Sequence, residues 1–310
     1  MKHIAGKTAY ERTIPIKTKF QNFFNHFGYL ELEQAIELFS VFGGVESSLE
    51  LDFFDDIDTL IRFNFVEHYK KLHLLISPSY IMEEPYRYLL IAIARGDGRL
   101  SNIFRKARVG ESLGKRLLDE LVEMDIVEFE NSREPDLKKH PNQKLEKSLR
   151  NYKIEPKVRF KQPFHRFWFG FVEPYNKELI AGNSKRFFEN FEQHFSRLHS
   201  FVFEQLSQEL INVHFKNQLL VNGNYWDVHS EFDIWATSSD GTQILGECKY
   251  TSRRVCKSEL TKLRQKAETS SLEVDVFALF SKSGFSNELQ NCTAKDLLLF
   301  ELEDFRRLLE

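Results

Sequence analysis

Two acidic residues and a lysine near the C-terminus have the types and spacing of a site for phosphodiester hydrolysis. Asp233 lies in the segment 231–236, and Glu247 and Lys249 lie in the segment 244–250. Two carboxylates held a few ångströms apart repel each other, and a hard divalent cation such as Mg²⁺ offsets that repulsion because it prefers oxygen ligands. A lysine beside them can orient or help to deprotonate an attacking water, or neutralise charge on a phosphoryl group.

The segments 231–236 and 244–250 are predicted to form the two strands of a β-hairpin. Both alternate apolar and polar residues, as a half-buried strand does, and a Ser-Ser-Asp-Gly turn separates them. Residues i and i+2 of a strand share a face. Glu247 and Lys249 are therefore expected to point one way, and Cys248 the other.

The register of this hairpin decides whether the acids can share a site. Asp233 lies opposite Glu247 only if the loop holds an odd number of residues. A loop of residues 239–241, with its glycine in a left-handed conformation, satisfies that condition. The alternation also predicts that Asp233 shares a side of its strand with Glu231 and Trp235. The sequence thus permits a shared site without requiring one.

Asp233, a gap of thirteen residues and then Glu247-Cys248-Lys249 resemble the signature of the PD-(D/E)XK nucleases. The resemblance implies an α/β domain in which Asp233, Glu247 and Lys249 are catalytic. It also implies that Asp233 and Glu247 bind Mg²⁺ or Mn²⁺, with the backbone carbonyl of Cys248 as a further ligand. The proline of the signature is replaced by Phe232, at a position that varies widely in the superfamily.

Two predicted helices border this site. Apolar residues recur every three or four positions over 185–210, and Glu204 lies nearly opposite that apolar stripe. Relatives of the nuclease fold carry a metal-binding glutamate on the helix before the core, and Glu204 resembles it; a solvated glutamate is the alternative. The second helix is predicted over 258–267. Its polar residues that are able to contact nucleic acid are Lys262, Gln265 and Lys266, with a solvated helix face as the alternative.

The composition is that of a globular protein large enough for two or three domains. The chain has 310 residues, of which 42% are hydrophobic and 29% charged. No apolar stretch has the length needed to span a bilayer, and the first residues lack the apolar core of a signal peptide, so we expect no membrane contact and a cytoplasmic location. Three cysteines without C-x-x-C spacing indicate neither a zinc site nor a disulfide framework.

A net charge of −3 means that nucleic-acid binding would need a local basic patch. The segment 138–166 is such a patch, because its ten lysines and arginines oppose two glutamates and give a local charge of +8. Lys138, Lys139 and Lys144 are its candidate ligands for nucleic acid. A charged linker is the alternative interpretation.

The region 84–130 is predicted to hold three helices and a strand. The helices span 86–95, 100–107 and 111–124, and a strand follows at 126–129. This order resembles a winged helix-turn-helix domain, whose third helix would present Lys115 and Arg116 to DNA. Protein contact is the alternative, because four acidic residues on that helix suit phosphates poorly.

The aromatic run 149–175 is expected, from its spacing, to pack in a core between two domains. Its Arg-Phe-Trp-Phe stretch at 166–169 also resembles a segment of the DEXX-box ATPase C-terminal family. In that family a winged helix precedes the aromatic segment and a PD-(D/E)XK-like domain follows it. The resemblance covers residues 84–305, including a family-like ending at 280–286, and implies a chain without the ATPase domain.

These observations predict an α+β multidomain protein. The expected parts are a helical N-terminal region at 1–80, a winged-helix domain at 81–135, a basic and aromatic connecting segment at 136–182, and a restriction-endonuclease-like domain with a central mixed sheet flanked by helices at 183–310. The predicted function is a divalent-metal-dependent nuclease that acts on DNA, with RNA and a homodimer left open. The alternatives are a non-catalytic DNA-binding or regulatory protein that retains the fold and acts with a partner ATPase, and a scaffold that contacts only protein.

Overall fold

The structure, a computed structural model, describes residues 14–49, 51, 55–134, 143–144, 154–227 and 229–310. The N-terminal part is helical and contains α1 (Ile16–Phe27), α2 (Leu32–Phe42), α3 (Ile57–Ile61), α4 (Tyr69–His73), α5 (Tyr86–Ala94), α6 (Leu100–Ala107) and α7 (Glu111–Glu123). A two-stranded sheet of β1 (Val127–Glu130) and β2 (Lys157–Phe160) follows. Next come α8 (Pro163–Phe167), α9 (Asn176–Ile180) and the long helix α10 (Lys185–His214).

The C-terminal part is a five-stranded mixed sheet. Its strands are β3 (Leu219–Trp226), β4 (Glu231–Ser238), β5 (Gln243–Lys249), β6 (Val276–Ser281) and β7 (Leu297–Glu301), which lie side by side in chain order. β3, β4 and β5 are antiparallel, and β5, β6 and β7 are parallel. The helix α11 (Lys257–Thr269) connects β5 to β6, and α12 (Asn287–Gln290) connects β6 to β7. The predicted α+β class with a mixed sheet between helices is confirmed.

The two faces of the large sheet pack against different helices. Ile234 and Cys248 belong to the main core, which also contains the apolar face of α10. Leu245 belongs to a second core with Leu260 and Leu263 of α11. Because side chains alternate across a strand, β5 supplies apolar residues to both cores.

The first helices pack through phenylalanine rings. Phe39 of α2 makes edge contacts with Phe20 and Phe23 of α1, at centroid distances of 5.3 and 5.4 Å. α2 ends where Gly43 donates its N–H to the Phe39 carbonyl at 2.9 Å. Its polar side reaches the large sheet, since Tyr250 donates to Glu37 at 3.2 Å.

The predicted helices of the region 84–130 are confirmed to within one or two residues. α5, α6 and α7 are followed by β1, which pairs antiparallel with β2. Arg99, between α5 and α6, forms an isolated antiparallel bridge to Lys157 of β2. By sequence, the part of the basic segment up to residue 156 therefore falls in the connection between β1 and β2, whereas Lys157 and Arg159 lie in β2 itself. Past β1, Arg133 donates its N–H to the Asn224 carbonyl at 2.9 Å and so covers part of the edge strand β3.

The aromatic run packs in the core, as its spacing predicted. Phe164, Phe167 and Trp168 are fully buried. The Phe167 ring lies 4.7 Å from that of Phe65 in the N-terminal helices and 6.1 Å from that of Phe191 in α10. This segment therefore joins the helical half to the long helix under the sheet. Among the helices of the described residues, none combines the length and the apolar content that crossing a bilayer requires.

Candidate active site

In the β4–β5 hairpin, Asp233 and Glu247 lie opposite each other on the paired strands. Ile234 pairs with Gly246, and the next pair in that register away from the turn is Asp233 with Glu247. The loop is the segment 239–241, and its glycine has φ +91°. The predicted odd-numbered loop with a left-handed glycine is confirmed.

Asp233 lies in a β-bulge against β3. Gly223 pairs with Trp235 and Tyr225 with Phe232, so β4 advances three residues while β3 advances two. Phe232 and Trp235 consequently pack in the same core, and the strict alternation predicted for this strand is wrong here. A bulge redirects the side chains at its position, and here that position carries the central acid.

The alternation predicted that Glu231 shares a face of β4 with Asp233, and this prediction is wrong. Its carboxylate pairs with Lys157 of β2 and lies 3.8 Å from Arg99. Its backbone carbonyl accepts a hydrogen bond from Lys266 at 2.9 Å. The bulge therefore turns Glu231 toward the small sheet.

Asp233 is held by two neighbouring elements. Its Oδ2 accepts a hydrogen bond from the Cys248 N–H at 2.7 Å, and its backbone carbonyl accepts one from Gln208 of α10 at 2.9 Å. Burial raises the pKa of Asp233, and the charge of Glu247 raises it further. The Cys248 N–H and the charges of Lys249 and Lys266 oppose this rise only in part.

Glu204 of α10 lies within electrostatic reach of the hairpin acids. Burial raises the pKa of Glu204, and the charge of Asp233 is the next largest cause. Arg166 opposes this rise, whereas Glu247 adds to it. Glu204 is thus close enough to Asp233 and Glu247 for their charges to affect its pKa.

Lys249 contacts the second acid of the hairpin. Its Nζ lies 2.5 Å from Oε1 of Glu247 and 4.0 Å from Glu259 of α11. Burial by itself would lower the pKa of Lys249, but the carboxylate of Glu247 and the more distant charge of Asp233 raise it above its ordinary value. Lys249 is therefore a cation at neutral pH and not a proton acceptor in this arrangement.

Of the polar residues predicted on α11, Lys266 lies in the site. Its Nζ lies 3.6 Å from Oε2 of Glu247 and 5.0 Å from the centre of the Phe232 ring. Lys262 instead pairs with Glu259 at 2.6 Å, and Gln265 is exposed. The structure therefore separates Lys262 and Gln265 from the carboxylates.

Cys248 contributes its backbone to the site while its side chain packs behind it. The side chain is buried on the α10 face of the sheet beside Ser207. Burial raises the pKa of the Cys248 thiol, and the charge of Asp233 adds to the rise. The thiol therefore stays protonated and does not resemble a metal ligand, which leaves the backbone carbonyl in that role.

Carboxylates are suitable ligands for a hard cation, although these side chains are not arranged around one metal position. Among the described residues, no three His, Cys, Asp or Glu side chains are grouped closely enough to hold a metal ion. Burial is the largest cause of the raised pKa values of Glu204 and Asp233, and neighbouring carboxylates add to the rise. Oxygen donors of this kind prefer Mg²⁺ or Mn²⁺. The lysine contacts of Glu247 compete with a metal for its oxygens.

The other predicted nucleic-acid ligands lie elsewhere. Lys115 and Arg116 are exposed on α7, where Lys115 pairs with Glu111 at 2.5 Å and Arg116 lies 3.9 Å from Glu120. Lys144 is exposed. Lys138 and Lys139 lie outside the described residues.

Three residues of the site were not predicted from the sequence. Gln208 follows Glu204 by one helical turn, a spacing that places both on one side of α10 and that could have identified it. Glu259 contacts Lys249 from α11. Arg166 stands among aromatic residues, and its sequence context gave no sign that it faces Glu204.

Comparison with known proteins agrees with part of the resemblance. Residues 168–264 match the model of the DUF234 family, which is described as archaea bacterial proteins of unknown function. That family is associated with the C-terminal region of DEXX-box ATPases. The match includes Glu204, Asp233, Glu247 and Lys249. No curated protein and no solved structure matches the chain.

Proposed function

We propose that the protein is a divalent-metal-dependent nuclease that hydrolyses phosphodiester bonds of DNA. The observation that carries the proposal is the convergence of Glu204, Asp233, Glu247 and Lys249 where β4 begins and β5 ends. An acid pair with a neighbouring acid and a protonated lysine is the set of groups that metal-assisted phosphoryl transfer uses.

The arrangement of the strands supports a restriction-endonuclease-like domain. The two strands that carry the site form an antiparallel hairpin, and β5 then continues through α11 into the parallel strand β6. This is the order implied by the resemblance to the PD-(D/E)XK nucleases. It places Lys266 of α11 over the same face as Glu247.

The preceding region supports a winged-helix domain for binding DNA or a partner. α5, α6 and α7 are followed by the β1–β2 pair, and the Arg99–Lys157 bridge supplies the short strand expected between the first two helices. By its place in the sequence, the 131–156 connection would correspond to the wing of such a domain. It carries Lys138, Lys139 and Lys144, which suit contact with phosphates.

The residues of this chain have separate tasks in the proposed reaction. Glu204, Asp233 and Glu247 would hold Mg²⁺ or Mn²⁺, which supplies activation of water and charge neutralisation at the phosphoryl group. Lys249 remains protonated and stabilises the negative charge that develops on the phosphoryl oxygens. Hydrolysis joins the water oxygen to phosphorus and breaks one P–O ester bond, whose oxygen takes up a proton.

One observation favours a second candidate function. Both carboxylate oxygens of Glu247 contact lysines, Lys249 at 2.5 Å and Lys266 at 3.6 Å, as they would in a purely structural ion-pair network. A non-catalytic DNA-binding or regulatory protein that acts with a partner ATPase would retain the fold with this network. The partial match to a family associated with DEXX-box ATPases agrees with that role.

Cleavage assays separate the two candidates. The purified protein is incubated with supercoiled, linear and single-stranded DNA in Mg²⁺ or Mn²⁺, beside an Asp233→Asn variant that removes a charge and keeps the shape. Cleavage by the wild type alone supports the nuclease and its site. Cleavage retained by Asp233→Asn would exclude the assigned site, and DNA binding without metal-dependent cleavage would favour the second candidate.

A further inference from the structure

A second cluster of polar residues lines a cavity that includes Arg166 but not Glu204. The cavity has a volume of about 260 Å³ and lies between the end of α5, the turn 168–172 and the middle of α10. Its polar lining is basic or neutral: Arg95, Arg166, Asn190, His194 and Arg197. In the part of the chain that the structure describes, no carboxylate lines it.

Arg166 is the most constrained of these cations. Its guanidinium lies 3.5 Å from the centre of the Phe201 ring, and within the described residues its buried Nη1 has no hydrogen-bond partner. Burial lowers the pKa of Arg166 to about 10, and the charge of Glu204 only partly offsets this. A buried guanidinium with an unused donor is costly unless an anion completes its contacts.

The other cations differ in how firmly they are held. Arg95 is fixed from one side, because its Nε donates to the Gly170 carbonyl at 2.8 Å. Its Nη2 lies 3.5 Å from the oxygen of Asn190. His194 and Arg197 are exposed and three residues apart on α10, so they lie on the same side of that helix.

We propose that this cavity binds a phosphate group. A guanidinium offers planar, paired donors that match phosphate oxygens. The cavity is lined by Arg166, whose Nη1 has no partner within the described residues, and by Arg95, which is fixed by the Gly170 carbonyl. Arg197, which is exposed, adds positive charge that attracts an anion. The ligand is a phosphate of nucleic acid or of a small phosphorylated molecule.

Arg166 connects this phosphate cavity to the candidate active site. It also lines a neighbouring cavity of about 200 Å³, together with Glu204, Lys157 and Glu231. A nucleic-acid strand with one phosphate in the first cavity would have the next part of its backbone directed toward Glu204. This extension to nucleic acid rests on the proposed function, whereas the anion site itself does not.

Two variants and one control test the cavity. Arg197→Ala removes an exposed cation to which the described residues give no partner, and Arg166→Lys keeps the charge but loses the planar fork. Lys185→Ala removes one exposed cation from the same helix, about 18 Å from Arg197 along its axis. Binding is measured with inorganic phosphate by calorimetry and with a fluorescent single-stranded oligonucleotide by anisotropy, in EDTA so that cleavage does not enter.

The expected result is that Arg197→Ala and Arg166→Lys weaken binding by about tenfold, while Lys185→Ala has little effect. With the oligonucleotide, Arg197→Ala should also reduce the dependence of log affinity on log salt by about 0.7. If the variants weaken oligonucleotide binding in this way, the ligand of the cavity is nucleic acid. If only inorganic phosphate binds, the ligand is a small phosphorylated molecule. Wild-type binding that neither variant changes, or no binding of either probe, overturns the proposal whether or not the protein cleaves DNA.

Discussion

The Nζ of Lys249 lies 2.5 Å from Oε1 of Glu247, two residues earlier on the same face of β5. This contact follows from strand geometry, because residues i and i+2 share a face. It also determines the charge of the lysine, since the carboxylate raises the pKa of Lys249 although burial alone would lower it. Lys249 is therefore held protonated, and its charge acts on Asp233 while Glu247 balances it.

Removing this charge should slow cleavage while leaving metal binding in place. We expect Lys249→Ala to lower the cleavage rate by about 100-fold, the usual effect of losing one group that stabilises a developing negative charge. The measurement is single-turnover cleavage with saturating Mg²⁺, together with Mn²⁺ binding by calorimetry. Lys262→Ala is the matched control, because Lys262 pairs with Glu259 and not with Glu247. Equal rates for Lys249→Ala and the wild type would remove the lysine from the mechanism.

The hairpin itself could be predicted from the sequence because strand patterning is local. Alternation located β4 and β5, and the parity of the loop 239–241 placed Asp233 opposite Glu247. The bulge at Asp233 could not be predicted, because it arises from the pairing of β4 with β3, a strand whose register the sequence does not specify. The same bulge explains why the carboxylate of Glu231 pairs with Lys157 of β2.

Contacts between distant segments account for the rest of the site. Arg166 reaches Glu204 because the aromatic run packs under α10, and nothing in the spacing of the run indicated which of its polar residues would face the acids. Lys266 and Lys262 are four residues apart on α11, but only Lys266 reaches Glu247. The sequence predicts the face of a helix, whereas the neighbouring elements decide where along that face a site lies.

The buried acids should make the metal-free protein less stable as pH rises. The folded-state pKa of Asp233 is raised above its ordinary value of 3.8, and that of Glu204 above 4.5. The folded state therefore binds more protons than the unfolded state, and the free energy of unfolding falls from those ordinary values up to the raised ones. The measurement is the melting temperature in EDTA across this range. Asp233→Asn should show a shallower fall, and an identical pH profile would contradict the raised pKa of Asp233.

Metal should reverse this loss of stability. A divalent cation that binds the ionised acids stabilises only the folded state, and it must displace their protons. We therefore expect the increase in melting temperature caused by Mg²⁺ or Mn²⁺ to grow as pH rises. Lys115→Ala, which removes an exposed lysine that pairs with Glu111 of α7, serves as a control that should keep the full increase. A metal-induced increase that is the same in Asp233→Asn and in the wild type would show that the metal binds elsewhere.

The aromatic core should be needed for the site as well as for the fold. Phe167 is fully buried and contacts rings from the N-terminal helices and from α10, the helix that carries Glu204. Phe167→Ala should lower the free energy of unfolding by about 3–5 kcal/mol, because it removes a large side chain from a packed core. Urea unfolding followed by tryptophan fluorescence measures this. The exposed Phe129→Ala is the control and should change the stability little.

Lys262 and Lys266 of α11 offer a direct test of the catalytic interpretation against the structural one. If Glu247 serves a metal, removing Lys266 should free one of its oxygens, and Lys266→Met should bind Mn²⁺ at least as tightly as the wild type. If Glu247 belongs to a structural ion-pair network, the same change leaves a half-buried carboxylate with one partner fewer and should lower the melting temperature without affecting metal binding. Calorimetry and thermal unfolding on the same samples, with Lys262→Met beside them, separate the two. Lys262→Met should leave both quantities near wild-type values, since Lys262 does not contact Glu247.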